Sequence, residues 1–265
     1  MRTVARDQAE GLRSLMGRNL VRLVAVVGGG PAAGATSVAM NLSAALAQQG
    51  KAVLLLDEQS GPRSVSALWG VAPIGTWDDV VAGRLELAAA VGVAGCGVCV
   101  LAVAPAASVP ASGPQVVFEE RMVLIDAAVR GDGALSELAC QADETLIVVR
   151  PHAASITAAY ARLKRLHAIH ALQHSRILIN GTASDVDARR VLANLAGAAT
   201  RYLALTVEPG GCVRADPQIA QAEALGLTAV EAFRTSPAAI DFRRIAAELP
   251  HWPRHSAATR LPVSV

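Results

Sequence analysis

The residues with the clearest chemical potential run Gly28-Gly-Gly-Pro-Ala-Ala-Gly34-Ala35-Thr36-Ser37. A glycine-rich turn ahead of a helix lets successive backbone N–H groups point at one anion, and the helix N-terminus adds a favourable dipole. That is the chemistry of phosphate binding. A complete nucleotide loop also needs a lysine beside its last glycine for the β- and γ-phosphates, and a hydroxyl for Mg²⁺. Gly29, Gly34, Thr36 and Ser37 meet this pattern, but Ala35 stands where the lysine belongs. One lost charge-assisted contact costs about 1.5–3 kcal/mol, so the expectation is weak ATP or ADP binding with poorly placed phosphates. Asp57, Asp126 and Asn180 each close an apolar run and complete the candidate set for nucleotide, with Thr36, Asp57 and Asp126 as candidates for Mg²⁺. A plainer role suits the same residues: a tight strand–helix connection and acidic strand ends.

The elements that must position these residues are legible. Arg22-Leu-Val-Ala-Val-Val27 reads as a strand buried on both faces. Val38, Leu42, Ala45 and Leu46 recur at helical spacing within 36–49, Gly50 stops them, and Lys51-Ala-Val-Leu-Leu-Leu56 is a second strand ending at Asp57. Strand, glycine loop, helix, strand makes a βαβ unit. Further strands are expected at 98–103, 122–125, 144–150, 176–179 and 202–207. Helices are expected at 135–141, 155–172, 185–195, 217–225 and 237–249. This alternation predicts an α/β fold, a doubly wound and mostly parallel sheet with helices on both faces. Ligands in such folds sit at the carboxyl ends of the strands, where the loop, Asp57, Asp126 and Asn180 fall. One domain over 20–250 is expected, with a helical segment over 1–19 and a flexible tail over 251–265.

Composition narrows the classes of function. A net charge of +2 with no basic run argues against a nucleic-acid surface. Residues 1–19 lack the apolar core of a signal peptide. The apolar run at 85–109 is broken by glycines and a proline, so it reads as strand and turn rather than a membrane span. Four cysteines without a signal peptide imply free thiols in a reducing cytoplasm.

Taken together, the strand, the glycine loop, Asn41-Leu42 in the following helix and the second strand ending Leu-Leu-Leu-Asp57 resemble the MinD/ParA family of ATPases. The resemblance spans about 20–249. It implies a deviant Walker A loop with two lysines, and in this register both are absent, at Gly30 and at Ala35. It implies an Asp-x-Asp after the second strand, whose second carboxylate orients the attacking water; Asp57-Glu58-Gln59 retains only the first. Asp126 matches the aspartate that holds Mg²⁺ through water, and Asn180 the asparagine that contacts adenine. Hydrolysis is therefore not expected, because positioning and charge stabilisation supply nearly all of phosphoryl-transfer catalysis.

The segment Asp7-Gln-Ala-Glu-Gly-Leu-Arg13 resembles the DQAxxLR motif of the flagellar-number regulators of the MinD family, the FlhG, FleN or YlxH subgroup. The resemblance implies that Asp7, Gln8, Ala9, Leu12 and Arg13 dock on the signal-recognition-type GTPase FlhF and stimulate it. The residues themselves read as a short helix with Leu12, Leu15 and Met16 on one side, marginal alone and able to order on binding. Folding back on its own domain is the competing reading. Leu146-Ile-Val-Val-Arg-Pro151, Ser155-Ile-Thr, Ala159-Tyr160 and Lys164 match the same subgroup. The last helix, with Phe242, Ile245 and Leu249 on one face, sits where the family carries a membrane-targeting helix; its apolar face is short, and packing on the core is favoured. Flagellar switch or transcription-regulating proteins, a homodimer and recruitment to the inner membrane or the flagellar pole are further implications. The active alternative is an ATPase switch that dimerises on ATP.

A different class also fits part of the chain. Tyr160-x-x-x-Lys164 matches the catalytic pair of short-chain dehydrogenases, Gly30-x-x-x-Gly34 partly mimics their glycine motif, and Asp57 suits a ribose hydroxyl of NAD(P). Against it, Thr36 stands where that family needs a last glycine. Cys96-Gly-Val-Cys99 is a lone pair better read as strand cysteines than as zinc or a redox centre. His167, His170 and His174 have no accompanying carboxylate and read as an exposed helix face.

Overall fold

Burial on both faces explains the central strand. In β1 (Arg22–Gly28) the side chains of Leu23, Ala25 and Val27 enter one core and those of Val24 and Val26 the other. The computed structural model describes residues 21–104, 106–107, 109–110, 113–118 and 121–254. Its further strands are β2 (Val53–Asp57), β3 (Gly92–Val93), β4 (Cys99–Ala102), β5 (Met122–Ala127), β6 (Glu144–Val149), β7 (His174–Thr182) and β8 (Thr206–Arg214). They form one sheet in the order β3-β4-β2-β5-β1-β6-β7-β8, parallel except for the β3–β4 edge pair. The expected α/β sheet with helices on both faces is therefore present.

Four long helices cover it: α1 (Ala35–Gln48), α2 (Ala153–His170), α3 (Asp185–Leu203) and α4 (Pro237–Glu248). Ala159, Leu163 and Leu166 of α2 and Val191 and Leu195 of α3 fill one core. Val38, Leu42 and Leu46 of α1 and Phe242 and Ile245 of α4 fill the other. The apolar face of α4 is thus packed on the sheet and on α1. Among the described residues no helix is long and apolar enough to cross a membrane.

Sheet order also decides between fold families. A dinucleotide-binding sheet places its first strand beside its second. Here β5 separates β1 from β2, and β1 pairs with β5 and β6. This is not the dehydrogenase topology that Tyr160 and Lys164 would require.

Three expectations need correction. The strand expected at 202–207 lies at Thr206–Arg214, because α3 continues through Gly197 to Leu203 before Ala204 turns left-handed. The tail does not begin at 251: Trp252 is buried, and the Arg22 guanidinium donates to the carbonyls of Pro250, Trp252 and Pro253 at 3.3, 2.6 and 3.2 Å. Arg176 stacks over the Trp252 ring at 4.6 Å and is itself held by Glu144 and Glu208. The histidines are half-buried and bonded rather than exposed: His167 Nδ1 lies 2.8 Å from the Leu172 carbonyl, and the Leu135 N–H donates to His170 Nε2 at 3.0 Å. The segment 1–19, including Asp7, Gln8, Ala9, Leu12 and Arg13, lies outside the described residues.

Candidate functional site

The loop after β1 emerges at the middle of the sheet's carboxyl edge. The β1–β6 ladder runs one residue into it, with Gly29 N–H donating to the Val148 carbonyl at 2.9 Å. The chain then turns through Ala32, whose φ of 54° is left-handed, and Gly34, whose φ is 86°. A Cβ at Gly34 would fall 2.6 Å from the Asn180 amide nitrogen, so both backbone and space demand glycine there. Helix α1 starts at Ala35 without any side-chain cap, and Val38 N–H to the Gly34 carbonyl, at 3.0 Å, is the first bond back to its start. The amides of Ala35, Thr36 and Ser37 precede that bond and have no acceptor within the helix. Open amides at a helix start suit an anion.

Position 30 is closed by packing. A Cβ on Gly30 would lie 2.6 Å from the Ala158 Cβ of α2, and one on Gly29 would lie 2.9 Å from the Val148 carbonyl. Helix α2 therefore sits against the loop at the position where the resemblance implies a lysine. Ala35, the first residue of α1, is half-buried and packs against the core on that helix's side.

The carboxylates lie side by side, since Asp57 of β2 pairs with Asp126 of β5. Their surroundings differ. Asp57 accepts from the Gln59 N–H at 3.1 Å and from the N–H and hydroxyl of Ser66, each at 3.0 Å. Asp126 is fully buried, and neither of its oxygens has a hydrogen-bond partner. Burial pushes its carboxyl up to about 7; the nearby Thr36 hydroxyl works against this, and the charges of Asp57 and Glu58 work with it. The Ser37 hydroxyl is likewise buried and unpartnered. Bare carboxylate oxygens beside the Thr36 hydroxyl fit a hard divalent cation such as Mg²⁺, which takes one or two protein oxygens and completes its shell with phosphate and water. Among the described residues no group of three or more His, Cys, Asp or Glu is placed to hold a metal by itself. Such a cation would thus depend on the phosphates.

Glu58 and Gln59 are turned to structural use. Glu58 accepts from the Ala128 N–H at 3.0 Å and from the Ser136 hydroxyl at 2.5 Å, and burial raises its carboxyl above the usual range. Gln59, where the resemblance implies a water-orienting aspartate, donates its side-chain amide to the Ala127 carbonyl at 3.1 Å. The segments after β2 and β5 are tied together by these contacts.

On the other side, Asn180 is buried and donates its side-chain amide to the Ala33 carbonyl at 3.0 Å. Arg150, after β6, donates from Nε to the Ala32 carbonyl at 3.0 Å. Gly29, Gly34, Thr36, Ser37, Asp57, Asp126 and Asn180 are thus gathered along one edge. Arg150 and Glu58 were not singled out by sequence reasoning; their position at a strand's carboxyl end was the available signal. Tyr160 instead packs against the core, and Lys164 is exposed one turn further along α2. Cys96 lies in the turn between β3 and β4 and Cys99 opens β4; burial pushes the Cys96 thiol up to about 11, away from thiolate chemistry.

No family model matches the chain. The antiactivator FleN of Pseudomonas aeruginosa is 32% identical to it over 249 residues, 88% of each protein. Among solved structures, the MinC:MinD cell division complex of Aquifex aeolicus matches with a TM-score of 0.67 at 20% identity, over 92% of this chain and 98% of that one. A ParA family ATPase from Chlorobium tepidum matches at 0.62 and 17% identity, over 87% and 99%. The septum site-determining protein MinD of Pyrococcus horikoshii, complexed with Mg-ADP, matches at 0.59 and 20% identity, over 86% and 96%.

Proposed function

Because the chain belongs to the MinD/ParA family of P-loop proteins, in its FlhG/FleN subgroup, we propose that it regulates flagellar number and placement by binding partners, with a loop that holds Mg²⁺-ADP or Mg²⁺-ATP weakly and hydrolyses little or none. The observation that carries the nucleotide reading is the open amide cradle at 34–37 combined with no cation at position 35 and a position 30 closed by Ala158. Thr36 and Asp126 would hold the metal, with Asp57 beside them, and Asn180 would meet the base. The metal would supply charge neutralisation at the phosphates. The protein's own part is to present amides, keep the glycine turn in shape and exclude water around Asp126.

The partner reading rests on other features. Asp7, Gln8, Ala9, Leu12 and Arg13 would dock on an FlhF-type GTPase and stimulate it. The relative's description as an antiactivator supports a transcription-regulating protein as a second partner class. Residues Glu58 and Gln59, tied to the segment after β5, favour a scaffold over a nucleotide-driven switch. The test is to delete the gene, count flagella per cell and complement with the full chain or with a chain lacking residues 1–19. Altered flagellar number restored only by the full chain supports the reading; unchanged flagellation on deletion sinks it. Turnover of ATP at a rate typical of working ATPases would instead favour the switch.

A further inference from the structure

Arg150 follows β6, the strand next to β1, so it reaches the loop from the side rather than along α1. Its backbone is fixed, since its N–H donates to the Ser155 hydroxyl at 3.0 Å. Its side chain is fixed at one point, through Nε on the Ala32 carbonyl at 3.0 Å. Beyond that point the fork opens over the loop. One terminal nitrogen lies 3.9 Å from where a Gly34 Cβ would be, and the other 3.2 Å from where a Gly181 Cβ would be. The guanidinium therefore spans from the loop's last glycine to the end of β7, next to Asn180. Among the described residues neither terminal nitrogen has a hydrogen-bond acceptor, and no carboxylate pairs with Arg150. A cation tethered to a phosphate-type loop and lacking an anion is complementary to what the loop would hold.

Two independent features mark the same place as a ligand site. The amides at the start of α1 are uncapped, and the fully buried Asp126 has two oxygens without donors. A metal-bound phosphate would meet both deficits, and within the described chain only the Thr36 hydroxyl bears on Asp126.

We infer that Arg150 supplies the positive charge that Ala35 has removed, its terminal nitrogens binding a phosphate of a nucleoside di- or triphosphate seated in the loop. The inference rests on the reading that the loop holds nucleotide. Arginine at this place restores charge but not the lysine's direction of approach, which is consistent with binding kept while γ-phosphate placement is lost.

Calorimetric titration of Mg²⁺-ADP into the full chain tests this, using the wild type, Arg150→Ala, Arg150→Lys and the double variant Arg150→Ala with Ala35→Lys, each checked for folding by circular dichroism. Removing one charge-assisted contact predicts an affinity lower by about ten- to a hundredfold in Arg150→Ala. Arg150→Lys should recover part of the loss, and the double variant most of it, because a lysine at 35 replaces the charge from the other side. A loss that Ala35→Lys does not rescue would mean Arg150 only shapes the loop, and overturns the inference. Unchanged or tighter binding in Arg150→Ala, with the wild type binding normally, overturns it while leaving the loop's role standing. Failure of the wild type to bind Mg²⁺-ADP at all overturns both readings.

Discussion

Replacing Asp126 by asparagine should stabilise the nucleotide-free protein, and by more as the pH rises. The carboxyl is fully buried, has no donor on either oxygen and is pushed up to about 7 from its usual 3.8. Between those values the folded state keeps a proton that the unfolded chain has released. The favourable contribution is complete below the unfolded value and is lost as pH climbs through the folded one. A gap of about three pH units, at about 1.4 kcal/mol each, makes burying this group cost about 4 kcal/mol at about pH 8, where it is ionised, and about 1.5 kcal/mol at about pH 5, where it must keep its proton. Asparagine keeps the shape and cannot ionise, so it should recover much of that difference. Urea unfolding of both proteins across this pH range, without Mg²⁺ or nucleotide, measures it. An Asp126→Asn protein less stable than the wild type at the upper pH, or a difference that does not change with pH, would refute the reasoning.

Other consequences follow from packing. Gly30→Lys should destabilise the fold by about 1–3 kcal/mol through the collision with Ala158, and should not raise nucleotide affinity; calorimetry and thermal melts together check both. Phe242→Ala should cost about 3–5 kcal/mol, as expected for a fully buried aromatic, seen as a lower urea midpoint. If the proposed docking holds, deleting residues 1–19 abolishes stimulation of an FlhF-type GTPase in a phosphate-release assay while leaving the melting curve of the domain unchanged; equal stimulation by both chains refutes it.

The first βαβ unit was readable because every physical cue agreed: an unbroken apolar strand, glycines, helical spacing, Gly50 and a second apolar strand. The edge strand β8 was not, because Pro209, Gly210 and Gly211 interrupt its pattern and its register against β7 shifts there. Helix α3 runs past its expected end at Leu195, with Gly197 inside it, because burial of Ala199 against the core carries the helix on. Trp252 read as tail because the partners that bury its ring and bind its carbonyl, Arg176 and Arg22, are far away in sequence. The site divides in the same way. Glycines, hydroxyls and strand-end carboxylates are local signals and were visible. The contact of Gly30 with Ala158, the unpartnered state of Asp126 and the reach of Arg150 to Ala32 arise from elements meeting in space, so no spacing could reveal them.

The central claim is a phosphate cradle retained without its catalytic lysines. The most direct measurement is binding and turnover of Mg²⁺-ATP by the wild type beside Ala35→Lys under identical conditions. The wild type should bind measurably but weakly, Ala35→Lys should bind about ten- to a hundredfold tighter, and turnover should be negligible in both because Gly30 and Gln59 remain. Robust ATP turnover by the wild type, or no gain in affinity from the restored lysine, would contradict it.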